Sequence, residues 1–228
     1  MDVVQEQDAA IFTLLGQVRV VPVVVLASAG PAGPLADALL AGGLPCAEVT
    51  FRTDAAVASI RAMAGVAGMT VGAGTVTHPD QVTQAVDAGA RFIVSPGFSS
   101  AVVAACRRHG VPVIPGAATA TEIQMAIEAG LSVVKFFPAA AAGGPATLRA
   151  LSAPFPALRF VPTGGITGET APGYLAHPSV LAVGGSWMVG SQLSSAADFA
   201  EVTRQTRRAM ELTATSAGHT TVAGGPQQ

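Results

Sequence analysis

An alternation constrains this chain more than any other feature. Short Val/Ile-rich runs that end in glycine or proline are followed by Ala/Leu-rich stretches with helical spacing, and the pair recurs eight times. A run that is apolar throughout yet too short for a helix reads as a strand buried on both faces, which in practice means a parallel strand covered by helices. The runs are Val20–Leu26, Ala47–Phe51, Thr70–Gly74, Phe92–Ser95, Val113–Pro115, Val133–Phe136, Phe160–Thr163 and Val180–Val183. Helices are expected over Pro34–Ala41, Asp54–Met63, Asp80–Ala88, Ser100–His109, Ala120–Ala129, Pro145–Leu151, Thr170–Ala176 and Ala196–Leu212. Several of them stop at Ala-Gly or His-Gly (Ala88-Gly89, His109-Gly110, Ala129-Gly130). Glycine there fits a left-handed helix C-cap.

Eight such units in about 200 residues fit an α/β fold of the TIM (β/α)8-barrel type better than a doubly wound open sheet. An additional N-terminal helix over Gln5–Leu15 is placed to plug the bottom of the barrel. We expect a single domain over residues 1–212 and a disordered tail over 213–228, where the residues are small and polar.

Half of the residues are hydrophobic, 11% are charged, and mean hydropathy is +0.51. The apolar run Val20–Ala29 is broken by Pro22 and Ser28 and is far below spanning length, so the excess belongs to a buried sheet and no membrane is expected. A net charge of −2 supplies no basic stripe, so nucleic acid is an unsuitable partner. Asp2, Glu6 and Asp8 stand where a signal peptide needs positive charge, which points to the cytoplasm. Cys46 and Cys106 have no metal-ligand spacing and read as buried thiols.

Among the basic residues eleven are arginine and only one, Lys135, is lysine. It lies in Val133-Val134-Lys135-Phe136-Phe137-Pro138, a strand in which an ammonium has to be desolvated. Arginine stays charged and cannot act as an amine nucleophile, whereas a buried lysine can lose its proton and attack a carbonyl. A lysine that snorkels outward or pairs with a carboxylate is the structural alternative. Its uniqueness and its place late in a barrel strand favour imine chemistry.

In the second strand, alternation puts Glu48, Thr50 and Arg52 on one face and Ala47, Val49 and Phe51 on the other. With the apolar set against the helices, Glu48 points into the barrel, where it can relay protons. Arg52 carries a fork suited to a carboxylate, and an internal Glu48–Arg52 ion pair is the structural alternative. The third strand ends Val71-Gly72-Ala73-Gly74-Thr75, with glycines that let a ligand approach the backbone and a hydroxyl at Thr75. Ser95-Pro96-Gly97 marks a strand-to-loop corner. His78, His109, His177 and His219 form no cluster, so a metal-free mechanism is preferred and no cofactor is expected. Thr163-Gly164-Gly165-Ile166 follows strand seven and Gly184-Gly185-Ser186-Trp187 follows strand eight, which is where barrel enzymes often bind phosphate through backbone N–H groups.

This ordered set of motifs, from Glu48-Val49-Thr50-Phe51-Arg52-Thr53 through Lys135-Phe136-Phe137-Pro138-Ala139 to Gly184-Gly185-Ser186-Trp187, resembles the 2-keto-3-deoxy-6-phosphogluconate (KDPG) aldolases. Members of that family often act on 4-hydroxy-2-oxoglutarate (KHG) as well. The resemblance covers about Val18–Leu212. It implies a homotrimeric class I aldolase that releases pyruvate from a phosphorylated keto acid, with Lys135 as Schiff-base lysine and Glu48 as general acid/base. It further implies that Arg52 and Thr75 bind the pyruvate moiety and that Pro96, Phe137 and Thr163 surround the substrate. Gly164, Gly165, Gly185 and Ser186 fall at the phosphate. The sequence departs from the family's common pattern at Ala140 and Ala142, where Glu and Asn are frequent, and at Thr77-His78, and these changes bear on substrate preference. A 6-phosphogalactonate version of the same cleavage and a non-catalytic phosphosugar-binding barrel are the rival readings.

Overall fold

The computed structural model describes residues 3–190 and 193–217. Helix α1 (Val3–Val18) is followed by β1 (Val20–Val24), α2 (Ala32–Ala41), β2 (Cys46–Thr50), α3 (Ala56–Ala64), β3 (Thr70–Gly74), α4 (Pro79–Asp87), β4 (Phe92–Val94) and α5 (Ser100–His109). The second half continues with β5 (Val113–Ile114), α6 (Ala120–Glu128), β6 (Val133–Val134), α7 (Gly144–Ser152), β7 (Arg159–Phe160), α8 (Ala171–Leu175), β8 (Val183–Gly185) and α9 (Ala196–Ala217).

All strand pairs are parallel, in a six-stranded sheet β5-β4-β3-β2-β1-β8 and a two-stranded leaf β6-β7. Single bridges close the ring. Gly116 pairs with Lys135 between β5 and β6, while Phe160 with Val180 and Thr163 with Gly184 join β7 to β8. The result is the expected eight-stranded barrel. Its core is built from the strand residues and the inward faces of the helices, with Phe92, Phe136 and Phe160 among the largest side chains fully removed from water.

Local chemistry sets the helix ends. Thr119 and Glu122 cap the start of α6 reciprocally, with Thr119 N–H donating to the Glu122 carboxylate at 2.9 Å. Gly89, Gly110 and Gly130 adopt φ of 101°, 65° and 67°, the left-handed conformation anticipated after their helices. Helix α1 buries Ile11, Leu15 and Val18 across the N-terminal end of the barrel, as expected of a plug. Helix α9 continues five residues beyond the expected stop at Leu212. Thr213 at that point is buried and donates to the Met210 carbonyl at 2.8 Å. Residues 218–228 of the expected disordered tail lie outside the described residues. Among the described residues no helix is long and apolar enough to cross a membrane.

Candidate active site

Lys135 sits one residue past β6 and is anchored through its backbone, its N–H donating to the Pro115 carbonyl and its carbonyl accepting from Ala117 N–H, both at 2.8 Å. Only 5% of it is exposed. Its Nζ lies 3.1 Å from Oε1 of Glu48, itself 3% exposed, and 5.2 Å from the centre of the Phe137 ring. Strands β2 and β6 stand on opposite sides of the ring, so this pair crosses the barrel interior. The alternation argument for Glu48 is therefore met in space. Thr50, next on that face, turns its hydroxyl to the Val24 carbonyl at 3.0 Å.

The alternative pairing of Glu48 with Arg52 is not formed, because the carboxylate is taken by Lys135. Arg52 lies exposed just beyond β2, beside a cleft of about 340 Å³ that Thr53, Asp54 and Gln81 also line. Thr75 is half-buried immediately after β3 with φ of 56°. A β-branched residue in the left-handed region is strained by roughly 1–3 kcal/mol, and such strain collects at functional sites. Nothing in the sequence signalled it.

The β3 glycines do something other than admit a ligand. A methyl group at Gly74 would overlap the Glu48 carboxylate, and one at Gly72 would overlap the Phe92 ring. Gly74 thus supplies the space in which the inward-pointing carboxylate rests. Gly116 plays a similar part against the Pro96 carbonyl, holding the β4 and β5 loops in contact. Pro96 is half-buried in a turn closed by the Ser95 hydroxyl, which donates to the Gly97 carbonyl at 2.8 Å.

The two glycine loops meet at the same end of the barrel. Thr163, 5% exposed, bridges to Gly184, whose N–H donates to the Pro162 carbonyl at 2.8 Å. Gly164 and Gly165 take φ of 101° and 72°, conformations that L side chains rarely adopt. A methyl at Gly164 would come within 3.2 Å of the Phe137 ring, so this loop packs directly on the residue that lies beneath the lysine. Among the described residues no protein carbonyl accepts from the N–H of Gly164, Gly165 or Ser186. Gly185 is buried in β8, where the space a side chain would need is filled by Trp187, and Ser186 is exposed.

Among the described residues no group of three or more His, Cys, Asp or Glu could hold a metal ion. Both cysteines are free and buried, and burial pushes the thiols of Cys46 and Cys106 up to about 12.

A family model described as KDPG and KHG aldolase matches residues 11–205, most of the chain. The chain belongs to the KDPG and KHG aldolase family. Its sequence is 53% identical over 203 residues to the 2-dehydro-3-deoxy-phosphogluconate aldolase of Treponema pallidum, covering 89% of this chain and 97% of that one. In structure it is similar to the KDPG aldolase of Zymomonas mobilis crystallised with 3-phosphoglycerate, with a TM-score of 0.84, 38% identity, and 89% and 96% of the two chains covered. It is also similar to the KDPG aldolase of Legionella pneumophila, in which pyruvate was captured as a covalent carbinolamine. There the TM-score is 0.82 and identity 38%, with 86% of this chain and 96% of that one covered.

Proposed function

We propose that this aldolase cleaves 2-keto-3-deoxy-6-phosphogluconate to pyruvate and D-glyceraldehyde 3-phosphate through an imine on Lys135. The observation that carries the reading is the buried lysine itself, held 3.1 Å from a carboxylate in the middle of the barrel with an aromatic ring beneath it. An amine poised there has a proton acceptor at hydrogen-bond distance and is shielded from competing water.

Glu48 takes a proton from Lys135, and the free amine adds to the C2 carbonyl. Glu48 then returns that proton to the carbinolamine oxygen, which leaves as water. The protonated imine draws electrons from C3–C4 as the Glu48 carboxylate takes the proton of the C4 hydroxyl and the aldehyde departs. Glu48 passes that proton to C3 of the resulting enamine, and water hydrolyses the imine to release pyruvate and restore the amine. The imine supplies the electron withdrawal that a divalent metal would otherwise provide, so the mechanism is metal-free.

Arg52 and Thr75 hold the carboxylate of the pyruvate portion, with Pro96, Phe137 and Thr163 around the carbon chain. The unengaged N–H groups near Gly164, Gly165 and Ser186, with Gly185 behind them, receive the phosphate. Binding energy from that remote end positions the reacting bond. The same machinery acts on 4-hydroxy-2-oxoglutarate, which has no phosphate to place in the cup. The working form is a cytoplasmic homotrimer of single-domain chains, and sedimentation at micromolar concentration would find three chains together.

Borohydride reduction in the presence of pyruvate tests the central step. It should fix one pyruvate-derived adduct, and peptide mass analysis should place it on Lys135. An unlabelled protein that still cleaves substrate would overturn the imine.

A further inference from the structure

On the opposite end of the barrel, Arg149 and Ser152 in the last turn of α7 meet Arg159 at the start of β7 and His177 and Ser179 ahead of β8. These side chains line a cleft of about 450 Å³ that contains no acidic residue. We propose that this cleft is a second ligand site, which takes a phosphate dianion between Arg149 and Arg159 on the face of the barrel remote from Lys135.

Charge is sparse in this protein, and its distribution here is not neutral. The ion pairs among the described residues are Lys135–Glu48 and Arg204–Glu201, so Arg149, Arg159 and the neighbouring Arg19 have no carboxylate partner. Burial, and after it the nearby charge of Arg159, holds the Arg19 guanidinium below its usual range. Burial and the proximity of Arg149 likewise lower His177. The Nε atoms of Arg19 and Arg159 are buried without an acceptor. Uncompensated cations of this kind cost stability, and an arriving anion would relieve the cost.

Simpler roles cover only part of the group. Arg149 favourably opposes the dipole at the end of α7, and Arg19 donates to the Leu175 carbonyl at 2.7 Å. Neither accounts for Arg159, whose buried Nε has no acceptor. His177 and Ser152 form a chain that frames the cleft: the ring accepts at Nδ1 from Ser179 N–H at 3.2 Å, its Nε2 lies 3.4 Å from the Ser152 hydroxyl, and that hydroxyl donates to the Arg149 carbonyl at 3.2 Å. Two guanidinium forks in a cleft without a carboxylate match the several oxygens and double charge of a phosphate better than a single carboxylate. The cleft is small enough to exclude a macromolecular strand and large enough for inorganic phosphate or a small phosphate ester.

Isothermal titration at pH 8 with inorganic phosphate, and separately with glycerol 1-phosphate, tests the site on the full chain. Arg149→Gln/Arg159→Gln should bind one fewer phosphate per chain than the parent while keeping its rate of aldol cleavage within about twofold, since neither residue faces the imine. Arg149→Gln alone, at an exposed position that burdens folding little, should weaken that site by about tenfold. Should the proposed phosphate cup near Gly164 fail to bind, the parent loses one site but the difference between parent and variant remains. Tighter binding of the ester than of the free ion names the ester as ligand, and the reverse names the ion. Equal stoichiometry and affinity in the parent and both variants would overturn the proposal.

Discussion

The two sides of the catalytic end are built on opposite principles. On the proposed reading the chemistry around Lys135 and Glu48 resides in side chains, and the backbone contributes by staying out of the way, as at Gly74. Around Gly164 and Gly165 the side chains have been removed altogether, and left-handed backbone turns N–H groups loose from the protein's own hydrogen bonding. The first region is specified by what particular atoms can do, the second by what shape the chain can take. Substitutions should therefore damage them differently, one in turnover with the fold intact, the other in substrate affinity with some loss of stability.

The sharpest break is Lys135→Arg. It keeps charge and bulk but offers no amine for the imine, so cleavage should fall by more than about 10⁴-fold while circular dichroism and melting stay close to the parent. Glu48→Gln comes next, with kcat lowered by about 10²–10⁴ and substrate binding retained. An unchanged kcat would reduce Glu48 to a structural counter-ion. Gly74→Ala should lower kcat by about 10–10² because the added methyl displaces the Glu48 carboxylate. Placed on top of Glu48→Gln it should cost almost nothing more, and full additivity would mean that Gly74 acts through something else. The smallest change belongs to the other region. Gly165→Ala forces a side chain into φ of 72° and to within 2.7 Å of the Ala140 methyl, destabilising by about 1–2 kcal/mol. Its KM for the phosphorylated substrate should rise severalfold, with little change for 4-hydroxy-2-oxoglutarate. Equal losses on both substrates would erase the distinction between the regions.

Much of this was legible from local pattern. Hydrophobic period, glycine stops and the single lysine are properties of a few consecutive residues, and they placed the strands, the caps and Lys135 with little displacement. Strand eight shows where such reading ends. Val180–Val183 is the apolar run, but the ladder with β1 forms at Val183–Gly185, because apolarity records burial whereas pairing depends on register with a neighbour. The purpose of Gly74 was hidden for the same reason. A gap filled by a carboxylate from another strand leaves no trace in the sequence around it. Arg52 shows a third limit, since alternation assigns a face only within a strand, and Arg52 lies exposed in the turn after β2, which ends at Thr50.

The two-stranded leaf has one further consequence. Hydrogen bonds run on beyond its formal strands, from Val161 N–H to the Val134 carbonyl, from Thr163 N–H to that of Phe136, and from Ala139 and Ala140 back to Thr163 and Gly164, all between 2.8 and 3.0 Å. The amine and the turn at Gly164 therefore ride on one continuously laced unit, which is hydrogen-bonded in turn to the β5 loop at Lys135 and to the β8 segment from Phe160 to Gly184. On the proposed reading these two points grip C2 and the phosphate of the same molecule. The leaf then works as a measuring rod, and the length of acid it accepts is set within one laced pair of strands.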